Sequence, residues 1–153
     1  MEKDFHLHNS FAFWIHRLSG LMQDHFNQQL QACEVTWPQW MVLNVLHHQM
    51  GQTPAKIAEC IGIDRSAITR LVDRLEGKGF VEREHDKSDR RSIKIHMTSL
   101  GEQMMARINE LAYQHQTHFL KGLHSSEQRA LRVELQKMLR VGGIDTIETW
   151  RRT

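Results

Sequence analysis

Between Thr53 and Gly79 the chain carries two short apolar-periodic segments with almost no spacer between them. The first opens at Thr53-Pro54, a helix start with proline in the first turn. It carries Ile57, Ala58 and Ile61 and closes at Gly62. The next begins two residues later at Asp64 or Arg65, with Asp64 as N-cap. It turns Ile68, Leu71, Val72 and Leu75 inward and runs to Gly77-Lys78-Gly79. Two short helices joined by a tight glycine turn form a helix-turn-helix.

Past Gly79 the apolar period changes. Phe80-Val81-Glu82-Arg83-Glu84 reads as a short strand, and Ile93-Lys94-Ile95-His96-Met97 alternates as a half-buried strand does. The polar stretch 85–92 between them makes a hairpin with a long charged tip. Upstream, the apolar stripe Phe11, Trp14, Ile15, Leu18, Leu21, Met22, Phe26 and Leu30 predicts a helix over about residues 10–30, ~30 Å long. A helix so rich in large apolar groups at the chain's end seldom finds enough core in its own subunit, which points to a partner subunit. Thr36 with Gln39 forms a capping box, with Pro38 in the first turn, for a helix ended by Gly51. Thr98 caps a helix with Ile108 and Leu111 inward, continuing through Phe119, Leu120 and Leu123. Ser125 with Gln128 forms a second box before Leu131, Leu135, Met138 and Leu139. The expected fold is mainly α: a winged helix-turn-helix at residues 36–98, with a two-stranded β wing, in one chain of residues 1–153. Helical regions at 10–35 and 99–153 flank it.

The chain has 153 residues, 40% hydrophobic and 25% charged, which excludes collagen, coiled rods and disordered tails. No apolar run reaches the ~18 residues of a membrane span. The opening Met1-Glu2-Lys3-Asp4-Phe5-His6 lacks a secretory pattern, so a cytoplasmic protein with no membrane partner is expected. Cys33 and Cys60 are too few for a disulfide scaffold. Twenty Lys and Arg against eighteen Asp and Glu leave a net charge of only +2. Binding to a polyanion must therefore come from where the charges sit.

Two places concentrate them. On the second helix of the motif, Arg65, Ser66, Thr69, Arg70, Asp73 and Arg74 are left outside the core face. Hydroxyls suit base edges, and arginine pairs bidentate with guanine. A solvated helix carries similar residues, but the tight turn and the hairpin would present this helix end to a major groove. At the hairpin tip Lys87, Arg90 and Arg91 stand within five residues, interleaved with Asp86 and Asp89. Charge alone would leave a solvated tip. An aspartate in a tight turn, however, commonly holds a neighbouring arginine or caps backbone amides, freeing another arginine to reach a narrow minor groove.

The run Asp86-Lys87-Ser88-Asp89-Arg90-Arg91-Ser92, followed by the strand and by Met97-Thr98-Ser99-Leu100-Gly101, resembles the wing signature of the MarR family of bacterial transcription regulators. That signature runs roughly D-P-x-D-R-R, a strand, then L-T-x-x-G. Residues 68–83 resemble the family's recognition helix and its exit, and residues 36–43 the start of its second helix. The likeness spans about residues 10–140. Lys87 stands where proline is usual and Met97 where leucine is usual.

The resemblance implies a homodimer built from both terminal helical regions, with one recognition helix per subunit entering successive major grooves of double-stranded DNA. Arg65, Ser66, Thr69, Arg70 and Arg74 would serve the major groove, and Lys56 on the preceding helix a phosphate. Lys87, Ser88, Arg90 and Arg91 would serve the wing: Asp89 would pair with Arg91 while Arg90 or Lys87 enters the minor groove. Two-fold symmetry then requires a pseudopalindromic operator with half-sites ~34 Å apart. The chain is expected to repress by occluding a promoter, since no activation segment is evident, in a family that includes activators.

Family members are often released from DNA by small anionic aromatics held between the dimer helices and the winged region. Trp14, His16 and Arg17 on the first helix, with Trp40 and His47 on the second, are the corresponding candidates here. Arg17 or a protonated histidine would face a carboxylate, with tryptophan as a stacking wall. Both tryptophans lie on apolar stripes and read first as core, and Arg17 is equally at home on the surface. Peroxide-sensing relatives carry a cysteine near the start of the first helix; none stands there, and Cys60 lies where buried cysteine is common. Zinc-binding relatives motivate a metal-responsive alternative through His115 and His118, i and i+3, with His25, Cys33 and Glu34, but nothing in the spacing fixes a full ligand set. No cofactor is implied, and no enzyme: Ser66 lacks a glycine elbow, and His47-His48 is not a zincin helix. A winged-helix dimer serving only protein interaction is the remaining alternative; it would not need the Arg70/Arg74 face or the Arg90/Arg91 tip.

Overall fold

Local side-chain chemistry sets where most of the helices begin. In the computed structural model, which describes residues 4–151, Ser10 Oγ accepts the Phe13 amide and opens α1 (Phe11–Leu30). Thr36 and Gln39 cap each other reciprocally at the start of α2 (Trp37–His47). Thr53 Oγ1 accepts the Lys56 amide to open α3 (Pro54–Ile61). Gly62, at φ 78°, ends α3 in the left-handed conformation that a side chain would strain. Four residues after Ile61 the chain re-enters a helix, α4 (Arg65–Gly77). Asp64 stands at its N-cap, but its carboxylate makes no capping bond. Residues 1–3, part of the opening read for a secretory signal, and residues 152–153, the end of the range assigned to dimerisation, lie outside the described residues.

β1 (Val81–His85) and β2 (Ile93–Met97) pair antiparallel from Val81 opposite Met97 to His85 opposite Ile93. Thr98 then caps α5 (Ser99–Leu120) and ties it back, its hydroxyl donating to Gly79 O. Here Gly101 is obligatory, because a Cβ at that position would lie 2.2 Å from Phe80 O. α6 (Ser125–Val141) and a short α7 (Thr146–Thr149) complete the chain.

The core gathers Phe26, Leu30, Val42, Leu43, Ile57, Ile68, Val72, Leu75, Ile95, Met105 and Ile108, nearly all fully buried. It sits where α1 and α5 cross the base of the winged region, so α4 and the wing are held by one packed unit and lose little entropy when they meet a ligand.

Several boundaries differ from the sequence expectation, each for a local reason. α2 stops at His47 because the chain turns with Gln49 at φ 56°, before Gly51. The first strand begins at Val81 because Phe80 N closes the α4 exit on Leu75 O. α5 ends at Leu120, short of Leu123. The box at α6 sits one residue earlier than expected: His124 is the N-cap, and its amide donates to Glu127 Oε2 at 2.7 Å. α7 was not expected.

Trp14 is not core in the protomer. It is 53% exposed, its indole donating to His8 O, as part of an uncovered stripe with Phe11, Ile15, Leu18 and Leu21. The apolar face of α6, Leu131, Leu135, Met138 and Leu139, is uncovered too. Among the described residues no helix is long and apolar enough to cross a membrane.

Candidate nucleic-acid interface

α4 buries Ile68, Val72 and Leu75 completely, with Leu71 half-buried beside them. The 3.6-residue period then turns Arg65, Ser66, Thr69, Arg70, Asp73 and Arg74 to the outside, and all six are exposed. Thr69 Oγ1 donates to Arg65 O, a bond the hydroxyl can exchange for a base edge by rotating.

What happens to the acids of this helix decides its electrostatics. Arg83, on β1, hydrogen-bonds Asp73 and Glu76 through separate guanidinium nitrogens, and a third contact reaches Thr69 O at 3.4 Å. These paired carboxylates raise the Arg83 pKa against the opposing effect of its burial. One strand residue therefore hydrogen-bonds both acids on the C-terminal half of α4, and its single positive charge offsets one of their two negative charges. Among the described residues Arg65, Arg70 and Arg74 make no ion pair. The face is cationic although its sequence looks balanced.

The wing tip uses its acids in the same sense, toward backbone. Asp86 Oδ1 accepts the amide of Ser88 at 2.8 Å and its hydroxyl at 2.6 Å, which hold the carboxyl below its ordinary range. Asp89 Oδ1 accepts the Arg91 amide at 3.0 Å. The expected side-chain pairing of Asp89 with Arg91 is therefore replaced by an Asx turn: the short aspartate arm finds the amide two residues on. Lys87, Arg90 and Arg91 are exposed and make no ion pair among the described residues. Lys56 pairs with Glu59 at 3.0 Å, an i, i+3 surface contact weak enough to exchange for a phosphate.

The residues expected to hold an effector are spread out in the protomer. Trp14, His16 and Arg17 are exposed toward the start of α1, whereas Trp40 packs edge-on against Phe26, twelve residues (~18 Å) from Trp14 along that helix. His47 Nδ1 lies 2.6 Å from Glu102 Oε2 and joins α2 to α5. Trp40 and His115 both pack on Phe26 where α1, α2 and α5 meet, and Trp40 Nε1 and His115 Nε2 are buried there without a partner, as is Gln29 Oε1 elsewhere on α1. His115 is 5% exposed, stacks on Phe26, and has its Nδ1 3.0 Å from His25 Nδ1, where one ring donates to the other. Its pKa is lowered, first by burial and then by the rings of His25 and His118. The fold thus brings His25, His115 and His118 together, yet among the described residues no three His, Cys, Asp or Glu are arranged to hold a metal ion. Burial raises the Cys60 pKa and keeps that thiol protonated at neutral pH.

Arg83 was missed as an organising residue, and His115 was named, beside His118 and His25, only as a candidate metal ligand. The signal for Arg83 was the Glu-Arg-Glu alternation of a short strand beside an acid-bearing helix; for His115, what was missed is its burial against Phe26.

Residues 35–93 match the MarR family. Solved structures with the same architecture include CouR from Rhodococcus jostii RHA1 bound to p-coumaroyl-CoA, at 26% identity and TM-score 0.78 over 87% of this chain and 94% of that one. The transcriptional repressor CouR bound to a 23-mer DNA duplex matches at 27% identity and TM-score 0.80, over 87% and 94%. A MarR mutant from E. coli complexed with operator DNA matches at 26% identity and TM-score 0.78, over 84% and 92%.

Proposed function

Since the chain belongs to the MarR family, we propose that it is a homodimeric transcriptional repressor that binds a pseudopalindromic double-stranded operator in the cytoplasm. The net-cationic face of α4 carries this reading, because Arg83 engages Asp73 and Glu76 and offsets one of their two charges, while Arg65, Arg70 and Arg74 pair with no acid among the described residues. Arg65, Ser66, Thr69, Arg70 and Arg74 read the major groove. Lys87, Ser88, Arg90 and Arg91 approach the minor groove and its phosphates, and Lys56 holds a phosphate. The uncovered apolar stripes of α1 and α6 are the surfaces that a second copy covers, so residues 10–35 and 99–153 form the dimer body and 36–98 the reading head.

The effector is a small anionic aromatic. The unpartnered Trp40 Nε1 and His115 Nε2 favour the junction of α1, α2 and α5 as its seat, with Trp40 and His47 in the same protomer. Trp14, His16 and Arg17 reach it only if dimerisation carries them there. No catalytic step is assigned to the chain.

Replacement of Arg70 or of Arg90 by Ala tests the reading. Duplex binding to DNA from the intergenic regions flanking the gene should fall at least tenfold, with the dimer mass unchanged in solution. Unchanged binding by both variants contradicts it.

A further inference from the structure

Among the described residues α6 is the one long helix with no buried residue. Gln128 ties its first turns to Leu120 O, at the end of α5, and to Leu123 O, and what fastens its other end lies beyond Val141. Past Val141 the chain turns at Gly143, φ 88°, and Asp145 caps α7 through the Ile147 amide. Thr146 and Thr149 are buried. A reciprocal contact with α3 follows. Trp150 Nε1 donates to Cys60 O at 2.9 Å, and Cys60 Sγ donates to Thr149 O at 3.2 Å. Cys60 O belongs to the last turn of α3, whose carbonyls have no partner within their own helix. It lies two residues before Gly62, where the chain turns into α4. The same indole borders the apolar groove lined by Leu18, Met22, Phe119, Leu135 and Leu139 of the terminal helices.

We propose that α7 and Trp150 form a strap that fixes the end of α3 to the terminal helices, and that Trp150 thereby acts as a positioning residue setting the spacing between the two recognition helices of a dimer. This rests on the DNA-binding reading above. Among the described residues Trp150 is the one side chain that both borders the groove between the terminal helices and hydrogen-bonds the helix-turn-helix. Loosening it frees α3 and α4 to tilt together about the Gly62 turn, while the Arg65-to-Arg74 face stays chemically intact. The loss should therefore appear as lost discrimination of half-site spacing more than as lost charge attraction.

The test uses the full-length dimer and two variants that remove one contact each, Trp150→Phe, which keeps an aromatic ring, and Cys60→Ala. Amide hydrogen exchange over residues 57–64 should quicken about tenfold in both, with dimer mass unchanged. On intergenic duplexes in which the half-site spacing is native or lengthened by one base pair, the wild type should prefer the native spacing. Trp150→Phe should lose most of that preference, with the dependence on salt unaltered. Exchange at the wild-type rate in both variants overturns the strap, as does an undiminished spacing preference. If the wild type binds no duplex, the regulatory reading fails, and the exchange rates alone decide the strap.

Discussion

Arg83 of β1 hydrogen-bonds the carboxylate of Asp73 on α4 and, through its other guanidinium nitrogen, that of Glu76. The bonds join wing to recognition helix and offset one of the two negative charges that an approaching duplex would meet.

Replacing Arg83 by Met should therefore damage DNA binding more than stability. The pairs are partly solvated, so their loss costs about 1 kcal/mol of folding free energy. Two freed carboxylates beside Arg70 and Arg74 should weaken operator affinity by roughly tenfold or more, with Arg83→Lys intermediate. Equal affinity for wild type and Arg83→Met in an anisotropy titration would remove this role from Arg83.

Gly101 carries a purely steric prediction. A methyl group at that position meets Phe80 O at 2.2 Å, so the first turn of α5 must shift away from the α4–β1 junction. Gly101→Ala should destabilise the protein by about 2 kcal/mol, lowering Tm by roughly 6 °C. A melting curve superimposable on wild type contradicts it.

The landmarks legible in the sequence were those set within a few residues: the Thr36–Gln39 box, the Thr53-Pro54 start, the Gly62 turn, and the aspartates of the wing tip. Each depends on a side chain reaching a backbone group no more than three residues away or, at Gly62, on a left-handed backbone that glycine alone takes without strain. Arg83 with Glu76, His25 with His115, and Cys60 with Trp150 are 7, 90 and 90 residues apart, and no propensity or period encodes such meetings. The same limit explains Asp89, whose own turn supplied a nearer donor than the Arg91 guanidinium. It explains Trp14 as well: its place on an apolar stripe was visible, but whether that stripe faces its own core or a second copy depends on how α1 lies against α5. The cationic character of α4 was only half legible, since nine Lys and Arg against seven Asp and Glu over residues 64–94 conceal which acids are already engaged.

His115 gives the protein a pH dependence of definite sign. Burial, with the His25 and His118 rings beside it, lowers its pKa in the folded state, so the fold prefers the neutral ring. Its contribution is fully present above the unfolded value near ~6.5 and is lost as pH falls below that toward the folded value. The drop in Tm between pH 7.5 and pH 5.5 should be smaller in His115→Phe than in wild type. Identical drops would show that His115 does not carry it.

The most direct measurement is the operator association constant of the wild-type dimer across a salt series. If each subunit sets about three cations from α4, Lys56 and the wing on phosphates, the logarithm of the constant falls linearly with the logarithm of salt concentration, with a slope near −5. A slope near zero would contradict the claim that α4 and the wing tip together clasp a duplex.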